Sequence, residues 1–246
     1  MILNVIHYGQ MPYALGLRMQ AELVSARKSG QIANTLLLLE HPPVVTLGRN
    51  AKRENVIASA DMLARRGVEV YECDRGGDVT FHGPGQLVGY PIVDLYGFSP
   101  RVGAVDFVRR MEEALIRTCA DFGVAAQRIK GLTGAWVEQR KIAAMGIHVS
   151  RGVTSHGFAL NVNNDLEYFK LIVPCGITDK PVTSLARELG ADQKPERVAQ
   201  SVARSFGQVF NSQVLWLEHV DQLLGRKVGV PLVVPQPFAK ASPINS

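Results

Sequence analysis

The sequence predicts an α+β protein, with helices packed on a mixed or antiparallel sheet. Its predicted strands come in groups, and the helices interrupt them without the steady strand–helix alternation of a doubly wound sheet. The 246 residues are 46% apolar and 20% charged, enough to bury a sizeable core. We expect one catalytic domain over residues 1–226 and a C-terminal extension over 227–246. The extension is rich in proline and should be partly irregular.

Apolar spacing and turn residues place the elements of the first half of the chain. Ser59 is expected to cap one helix, and Gly30 and Gly67 to end the two helices. Strands are predicted at 2–6, 35–39, 44–47, 68–73, 79–82 and 87–95, and helices at 12–29 and 60–66.

A long helix is predicted to begin at Ser99-Pro100, a capping hydroxyl followed by proline, and to run to Phe122 before Gly123. Its core-facing residues are expected to be Val105, Val108, Met111, Leu115, Cys119 and Phe122. Further strands are predicted at 133–137, 141–149, 153–162, 214–217 and 228–234, and helices at 166–172, 182–189 and 195–211.

Composition argues against several classes of protein. The net charge of +5 could favour acidic partners, but the basic residues occur in scattered pairs without interleaved aromatics, so we expect no nucleic-acid binding. No apolar run approaches the ~20 residues of a membrane span, so we expect no membrane association. The N-terminus lacks the pattern of a signal peptide, and the three cysteines form no CxxC pair. A cytoplasmic location is therefore predicted.

The stretch RGGDVTFHGPGQLVGY at 75–90 is the most distinctive in the chain. Two glycine turns flank one short predicted strand, and glycine lets a ligand approach the main chain closely. With Arg75, His82 and Gln86 beside these turns, the stretch predicts a binding wall made largely of backbone. The alternative is a pair of hairpin turns in an ordinary sheet.

Cys175 and Lys141 are the candidate reactive residues. Cys175 follows a proline and precedes a glycine on a turn, and a nucleophilic thiol there needs a nearby cation or base, either histidine or lysine. Lys141 begins an apolar strand, where burial would let it exchange protons near neutrality. The alternatives are a structural cysteine and a strand-edge lysine in water.

Other kinds of site lack their spacing. His82, His148 and His156 could be combined with Cys175, but none shows metal-ligand spacing such as HxxxH. The chain has no GxxxxGK[ST] phosphate loop and no GxSxG nucleophile elbow. We expect no metal and no cofactor.

Several blocks together resemble the lipoyl(octanoyl) transferases, the octanoyl-carrier-protein:protein N-octanoyltransferases. The resemblance covers roughly residues 1–215. Its blocks are EHPP at 40–43 with TLG at 46–48, RGGxxTFHxxGQ at 75–86, KIAAMG at 141–146, HGFALN at 156–161 and PCG at 174–176.

This resemblance implies the fold of the catalytic domain of biotin and lipoate protein ligases. It also implies transfer of an octanoyl group from octanoyl-acyl carrier protein to a lysine of lipoyl domains, those of 2-oxoacid dehydrogenase complexes and of glycine cleavage H protein. Cys175 would be the nucleophile, and Lys141 would lower the pKa of its thiol and transfer the proton. Backbone N–H groups near Cys175 or the His82 side chain would stabilise the oxyanion. The acyl-binding wall would comprise Arg75, Gly76, Gly77, Asp78, Val79, Thr80, Phe81, His82, Ala144, Met145, Gly146, Gly157, Phe158 and Ala159.

Two other functions compete with this one. An ATP-dependent lipoate–protein ligase of the same fold typically carries a third glycine after the arginine–glycine pair, where this chain has Asp78. A non-catalytic acyl-binding protein would not need both Lys141 and Cys175. We therefore favour the transferase.

Overall fold

The structure is a computed structural model that describes residues 1–174 and 180–226. Its strands are β1 (Ile2–Gln10), β2 (Asn34–Glu40), β3 (Val44–Leu47), β4 (Glu69–Glu72), β5 (Val79–His82), β6 (Gln86–Ile92), β7 (Gln127–Ile129), β8 (Leu132–Val137), β9 (Arg140–Ser150), β10 (Val153–Asn161) and β11 (Gln213–Leu217). Its α-helices are α1 (Tyr13–Lys28), α2 (Ala60–Arg65), α3 (Ala104–Asp121), α4 (Leu185–Leu189), α5 (Pro195–Val209) and α6 (Val220–Leu224). Short 3-10 helices cover Arg53–Asn55, Leu95–Gly97 and Leu166–Leu171.

The strands form two sheets. An eight-stranded sheet has the order β11-β1-β2-β6-β10-β9-β8-β7, and a three-stranded sheet has the order β4-β3-β5. β1 runs parallel to both of its neighbours and β3 runs parallel to β4, whereas the other pairs are antiparallel. The predicted α+β class with a mixed sheet is therefore confirmed.

The central strands of the large sheet are covered on both faces. The amphipathic helices α3 and α5 pack together on one face, where Phe107, Met111 and Phe206 are almost fully buried. Helix α1 covers part of the other face with Met19 and Leu23. The rest of that second face lies opposite the small sheet, and the functional cleft forms there.

The start of α3 was predicted wrongly. The helix begins at Ala104 after Gly103 instead of at Ser99-Pro100, because the chain first closes a loop in which the Val102 N–H donates to the Leu95 carbonyl at 3.2 Å. Val105 is 72% exposed, contrary to its predicted core position. It lies two residues before the buried Phe107, and residues two apart on a helix do not share a face.

The predicted helix over 182–189 is shorter in the structure. Lys141 forms a parallel β-bridge with Val182, and this long-range pairing keeps Val182 and Thr183 extended. Ser184 then caps α4 through its side chain. The short strand β7 and helix α6 were not predicted.

Three predictions fall outside the described residues: the strand at 228–234, the extension at 227–246 and the nucleophile Cys175. Among the residues described, no helix combines the length and the apolar character that crossing a bilayer requires.

Candidate active site

The floor of a cleft is formed by three adjacent strands of the large sheet, β6, β10 and β9. Their register aligns alternate residues into rows that run across the strands. From one end of the cleft to the other, the rows are Gln86 with Asn161, then Val88 with Ala159 and Ala144, then Tyr90 beside Gly157 and Gly146. The floor therefore changes from polar amides to small apolar residues and ends at a tyrosine.

The opposite wall is formed by β5 and the glycine turn that precedes it. Thr80 and His82 line the cleft from β5, and Gly77 and Asp78 line it from the turn. The turn is fastened to the floor, since the Gly76 N–H donates a hydrogen bond to the Ile147 carbonyl at 2.9 Å. The 75–78 stretch therefore closes over the edge of the large sheet.

Arg75 holds this turn through hydrogen bonds to neutral oxygens. Its buried guanidinium donates to the Thr46 carbonyl at 2.7 Å, to the Thr46 hydroxyl at 2.9 and 3.2 Å, and to the Gly76 carbonyl at 3.1 Å. Within 1–174 and 180–226 no carboxylate forms a salt bridge with it. Arg75 therefore ties β3 to the turn and leaves a positive charge beside the cleft.

The tautomer of His82 is fixed by a chain of amide hydrogen bonds. The Gln86 amide nitrogen donates to the Phe81 carbonyl at 3.2 Å and to Asn161 Oδ1 at 2.9 Å, so Gln86 Oε1 must face the ring. His82 Nδ1 lies 2.8 Å from Oε1 and is therefore the donor. Burial, together with the nearby His41, lowers the pKa of His82 to about 3, so the ring is neutral and Nε2 carries no hydrogen.

This tautomer bears on the expected oxyanion stabilisers. A neutral His82 has one N–H, and Gln86 accepts it. The side chain therefore has no hydrogen left to donate to an oxyanion. Its remaining hydrogen-bonding group is Nε2, which can only accept. Of the two candidate oxyanion stabilisers predicted from the sequence, the backbone N–H groups near Cys175 therefore remain the candidates.

The same amides connect the cleft to Lys141. Asn161 Nδ2 donates to the Thr183 carbonyl at 2.9 Å, and the Thr183 N–H donates to the Lys141 carbonyl at 2.9 Å. The Lys141 N–H in turn donates to the Pro181 carbonyl at 2.9 Å. The segment after 175–179 is thus pinned to the polar end of the floor.

Lys141 lies at that polar end. It is 8% exposed, and its Nζ lies 4.7 Å from the centre of the Trp136 ring, a cation–π contact. A small cavity here is lined by Lys141, Gln86, Asn161, Phe169, Pro174 and Val182, and it shares Thr80, Ala144 and Ala159 with the cleft. Lys141 and Pro174, the residue before Cys175, therefore lie at one end of a continuous groove.

The structure brings together most of the site residues expected from the sequence. Val79 and Phe81 instead point into the core of the small sheet, because side chains alternate along β5, and Gly76 contributes its carbonyl to the contact with Gly146. Lining the cleft are Arg75, Gly77, Asp78, Thr80, His82, Ala144, Met145, Gly146, Gly157, Phe158 and Ala159.

Four lining residues were missed: Tyr13, Val88, Tyr90 and His156. The strand alternation that follows Gln86 could have found Val88 and Tyr90. His156 adopts a positive φ of 55°, and its Nε2 lies 2.7 Å from Asp74 Oδ1. Burial lowers the pKa of His156, and Asp74 opposes that shift.

The histidines do not assemble a metal site. Asp74 also lies 3.6 Å from His148, while His82 is engaged with Gln86. In the part of the chain that the structure describes, no three His, Cys, Asp or Glu side chains are placed to hold a metal ion.

Gly146 gives a direct test of the groove's closed edge. A Cβ at this position would lie 2.4 Å from the Gly76 carbonyl oxygen, so Gly146→Ala must push the glycine turn away from β9. We expect a loss of about 1–3 kcal/mol in the free energy of unfolding, measured by urea denaturation. Gly9→Ala is the matched control, because a Cβ on that strand glycine meets nothing within 4 Å. Equal stability of the two variants would contradict this packing.

Comparison with known proteins agrees with this architecture. Residues 12–207 match the family model described as the lipoyl protein ligase A/B catalytic domain. Octanoyltransferase from Koribacter versatilis is 56% identical over 238 residues, covering 96% of this chain and 95% of that protein. Octanoyltransferase from Acidobacterium capsulatum is 61% identical, covering 91% of this chain and 96% of that protein.

The fold recurs in solved structures of much lower identity. A bi-partite lipoate protein ligase from Thermoplasma acidophilum, described together with its E2 lipoyl domain, superposes with a TM-score of 0.68. It is 15% identical and the match covers 92% of this chain and 90% of that one, so it supports the fold alone. The family match over most of the chain and the two close relatives confirm the expected family: the chain belongs to the lipoyl protein ligase A/B catalytic domain family.

Proposed function

We propose that this protein is an acyltransferase that moves an octanoyl group from acyl carrier protein to a lysine of lipoyl domains. The observation that carries the proposal is the groove itself. Next to the polar end that holds the buried Lys141, the floor continues with the small apolar residues Val88, Ala159 and Ala144. An octanoyl chain is apolar beyond its carbonyl, so burial in such a groove supplies its affinity.

The chemistry proceeds in two exchanges at Cys175. Its thiolate attacks the thioester carbonyl of the acyl donor, the carrier's sulfur leaves, and Lys141 supplies the proton that the leaving thiolate takes up. The amine of the acceptor lysine then attacks the octanoyl–Cys175 thioester. The amide forms, the neutral Lys141 amine takes up the proton lost by the attacking amine, and the cysteine sulfur is released as a thiolate. Thioester exchange is nearly isoenergetic and amide formation is downhill, so the cycle consumes no ATP.

The partners follow from this reaction. The donor is octanoyl-acyl carrier protein, and the acceptors are the lipoyl domains of 2-oxoacid dehydrogenase complexes and of glycine cleavage H protein. Both kinds of partner are typically acidic, which suits a chain of net charge +5. We infer that the protein acts on these partners in the cytoplasm.

The competing ATP-dependent ligase activity is disfavoured by Asp78. Its carboxylate lines the cleft and is anchored there by the Val79 N–H at 2.8 Å and by the Lys52 N–H at 3.1 Å. A fixed carboxylate in the glycine turn repels the phosphates that a nucleotide would bring to it. A transferase has no phosphate to accommodate there.

Intact-mass measurement after incubation with octanoyl-acyl carrier protein, without ATP, tests the proposal. We expect the wild-type chain to gain one octanoyl group and Cys175→Ser to gain no thioester-linked group. Cys119→Ala is the control, because the Cys119 side chain is fully buried on helix α3, on the face of the large sheet opposite the cleft. An unmodified wild-type chain that transfers octanoate only when ATP is added would establish the ligase instead.

A further inference from the structure

The end of the groove opposite Lys141 is closed by Tyr90, which stands on the last row of the floor. Its hydroxyl donates to His41 Nε2 at 2.6 Å, and His41 Nδ1 donates to the Met11 carbonyl at 2.6 Å. Burial lowers the pKa of His41 to about 4, so the ring is neutral and can accept the tyrosine proton at Nε2. Tyr90 and His41 are both buried, and each is held by the other.

Tyr13, the first residue of α1, completes this end wall. Its ring stacks on His82 with centroids 6.3 Å apart, and its edge meets His41 at 5.2 Å. Its hydroxyl has a hydrogen-bond partner in Cys73. Gly16 lets the helix approach, because a Cβ there would lie 3.1 Å from the His41 ring. The wall is therefore braced on several sides and cannot yield without repacking.

We propose that Tyr13 and Tyr90 form a rigid stop that limits the bound acyl chain to about eight carbons. This inference rests on the proposed function. It adds a length-selecting role for Tyr13, which lies outside every motif of the sequence, and for Tyr90, which ends the 75–90 stretch. The distance from the reactive end of the groove to these two rings then sets the preferred length of the acyl chain.

The length of the floor supports this assignment. Gln86 and Tyr90 are four residues apart on β6, which is about 13 Å at ~3.3 Å per residue. A methyl group and the ring cannot approach closer than about 3.5–4 Å, which leaves roughly 9 Å of usable length. The seven bonds from the carbonyl carbon to the methyl carbon of an extended octanoyl chain also span about 9 Å, at ~1.25 Å each for bonds of ~1.5 Å in a zigzag.

The chemistry of the wall matches the methyl end of such a chain. The Tyr90 hydroxyl donates to His41, and the Tyr13 hydroxyl donates to the Cys73 sulfur, whose own hydrogen goes to the Leu47 carbonyl, so neither leaves a donor for a polar terminal group. Burial raises the pKa of both tyrosines far above neutrality, so the wall carries no charge. The end of the groove therefore accepts a hydrocarbon terminus and disfavours a longer chain by contact.

The test is competition among acyl carrier proteins loaded with chains of six to fourteen carbons, read as the mass distribution of acylated protein. We expect Tyr13→Ala and Tyr90→Leu to shift the preferred chain upward by two to four carbons. The ratio of twelve- to eight-carbon adduct should rise by about tenfold or more, as expected when two further methylenes become buried. Tyr96→Ala is the matched control, because Tyr96 is 57% exposed and does not line the groove.

A further variant with the opposite expected effect on chain length keeps the test decisive if the tyrosine variants fail to fold. Ala144→Val fills the middle row of the floor. If the length of the groove sets the preferred chain, this variant should shift the preference towards shorter chains. Folded and acylated variants that keep the wild-type profile would overturn the stop. If the wild-type chain takes no acyl group at all, the proposed function fails. Thermal shifts with free carboxylic acids of graded length then decide on the stop by itself.

Discussion

Replacing Lys141 with methionine is expected to lower the rate of Cys175 acylation by about 10²–10⁴-fold, the usual contribution of a positioned proton-transfer group. Lys141 is buried at the end of the groove where Pro174 also lies, and its Nζ lies over the Trp136 ring. Methionine preserves the apolar stem of the side chain, so the fold should survive. Single-turnover acylation followed by quenched mass spectrometry measures the rate.

Arginine at the same position separates two roles of Lys141. Arginine keeps a positive charge but does not give up its proton, whereas lysine can. We expect Lys141→Arg to keep the Cys175 thiol reactive towards iodoacetamide near neutral pH, while transfer stays as slow as in Lys141→Met. Transfer at the wild-type rate in the arginine variant would show that a fixed charge is sufficient.

A second lysine provides the matched control for this series. Lys180 lies on the connection between Pro174 and α4, the segment that pairs with Lys141, and its Nζ hydrogen-bonds to Gln139 on the exposed surface. Lys180→Met should transfer octanoate at close to the wild-type rate. A loss in that variant equal to the loss in Lys141→Met would indicate that the connection, and not the buried amine, had been disturbed.

The sequence motifs identified much of the groove because its walls are locally encoded. The contiguous run at 75–82 forms one wall, and the strand pair β9–β10 places Ala144 opposite Ala159 by simple register. In such segments the residues next to each other in sequence also meet the same ligand. Alternation along a strand decides which of them face the cleft, and it separates Thr80 from Phe81.

Other features depend on contacts that no local pattern contains. Tyr13 reaches the cleft because α1 packs beside β6, and the extended geometry of Val182 comes from its bridge to Lys141. The predicted role of His82 as an oxyanion stabiliser depends on a similar long-range contact. Its tautomer follows from the orientation of Gln86, which Asn161 fixes from 75 residues away. Motif matching cannot establish which nitrogen carries the hydrogen.

The stability of the protein is expected to fall steeply between pH 6.5 and pH 5. His82 and His41 both have a pKa of 6.5 in the unfolded chain. In the folded protein, mainly because of burial, the pKa of His82 falls to about 3 and that of His41 to about 4. Between these values the unfolded chain binds protons that the folded chain does not, so acidification favours unfolding. At pH 5 the two sites together reduce the free energy of unfolding by about 4 kcal/mol relative to pH 8.

Urea denaturation at a series of pH values measures this effect. The slope between pH 6 and pH 5 should approach two protons taken up on unfolding from His41 and His82, with further contributions from His156 and His7, whose pKa values burial also lowers. The native carboxylates Asp74, Asp121 and Glu188 have pKa values below their ordinary range, so their contribution is lost only at lower pH. The window above pH 5 therefore isolates the histidines.

Single variants assign the slope to its sources. His41→Gln and His82→Gln should each remove about one proton from it, whatever they do to stability at pH 8. A wild-type slope near zero would mean that these rings accept protons in the folded state, and the acceptor at His82 Nε2 would then be wrong. Since His41 braces Tyr90 and His82 stacks on Tyr13, the same neutral rings that form the groove make the fold sensitive to acid.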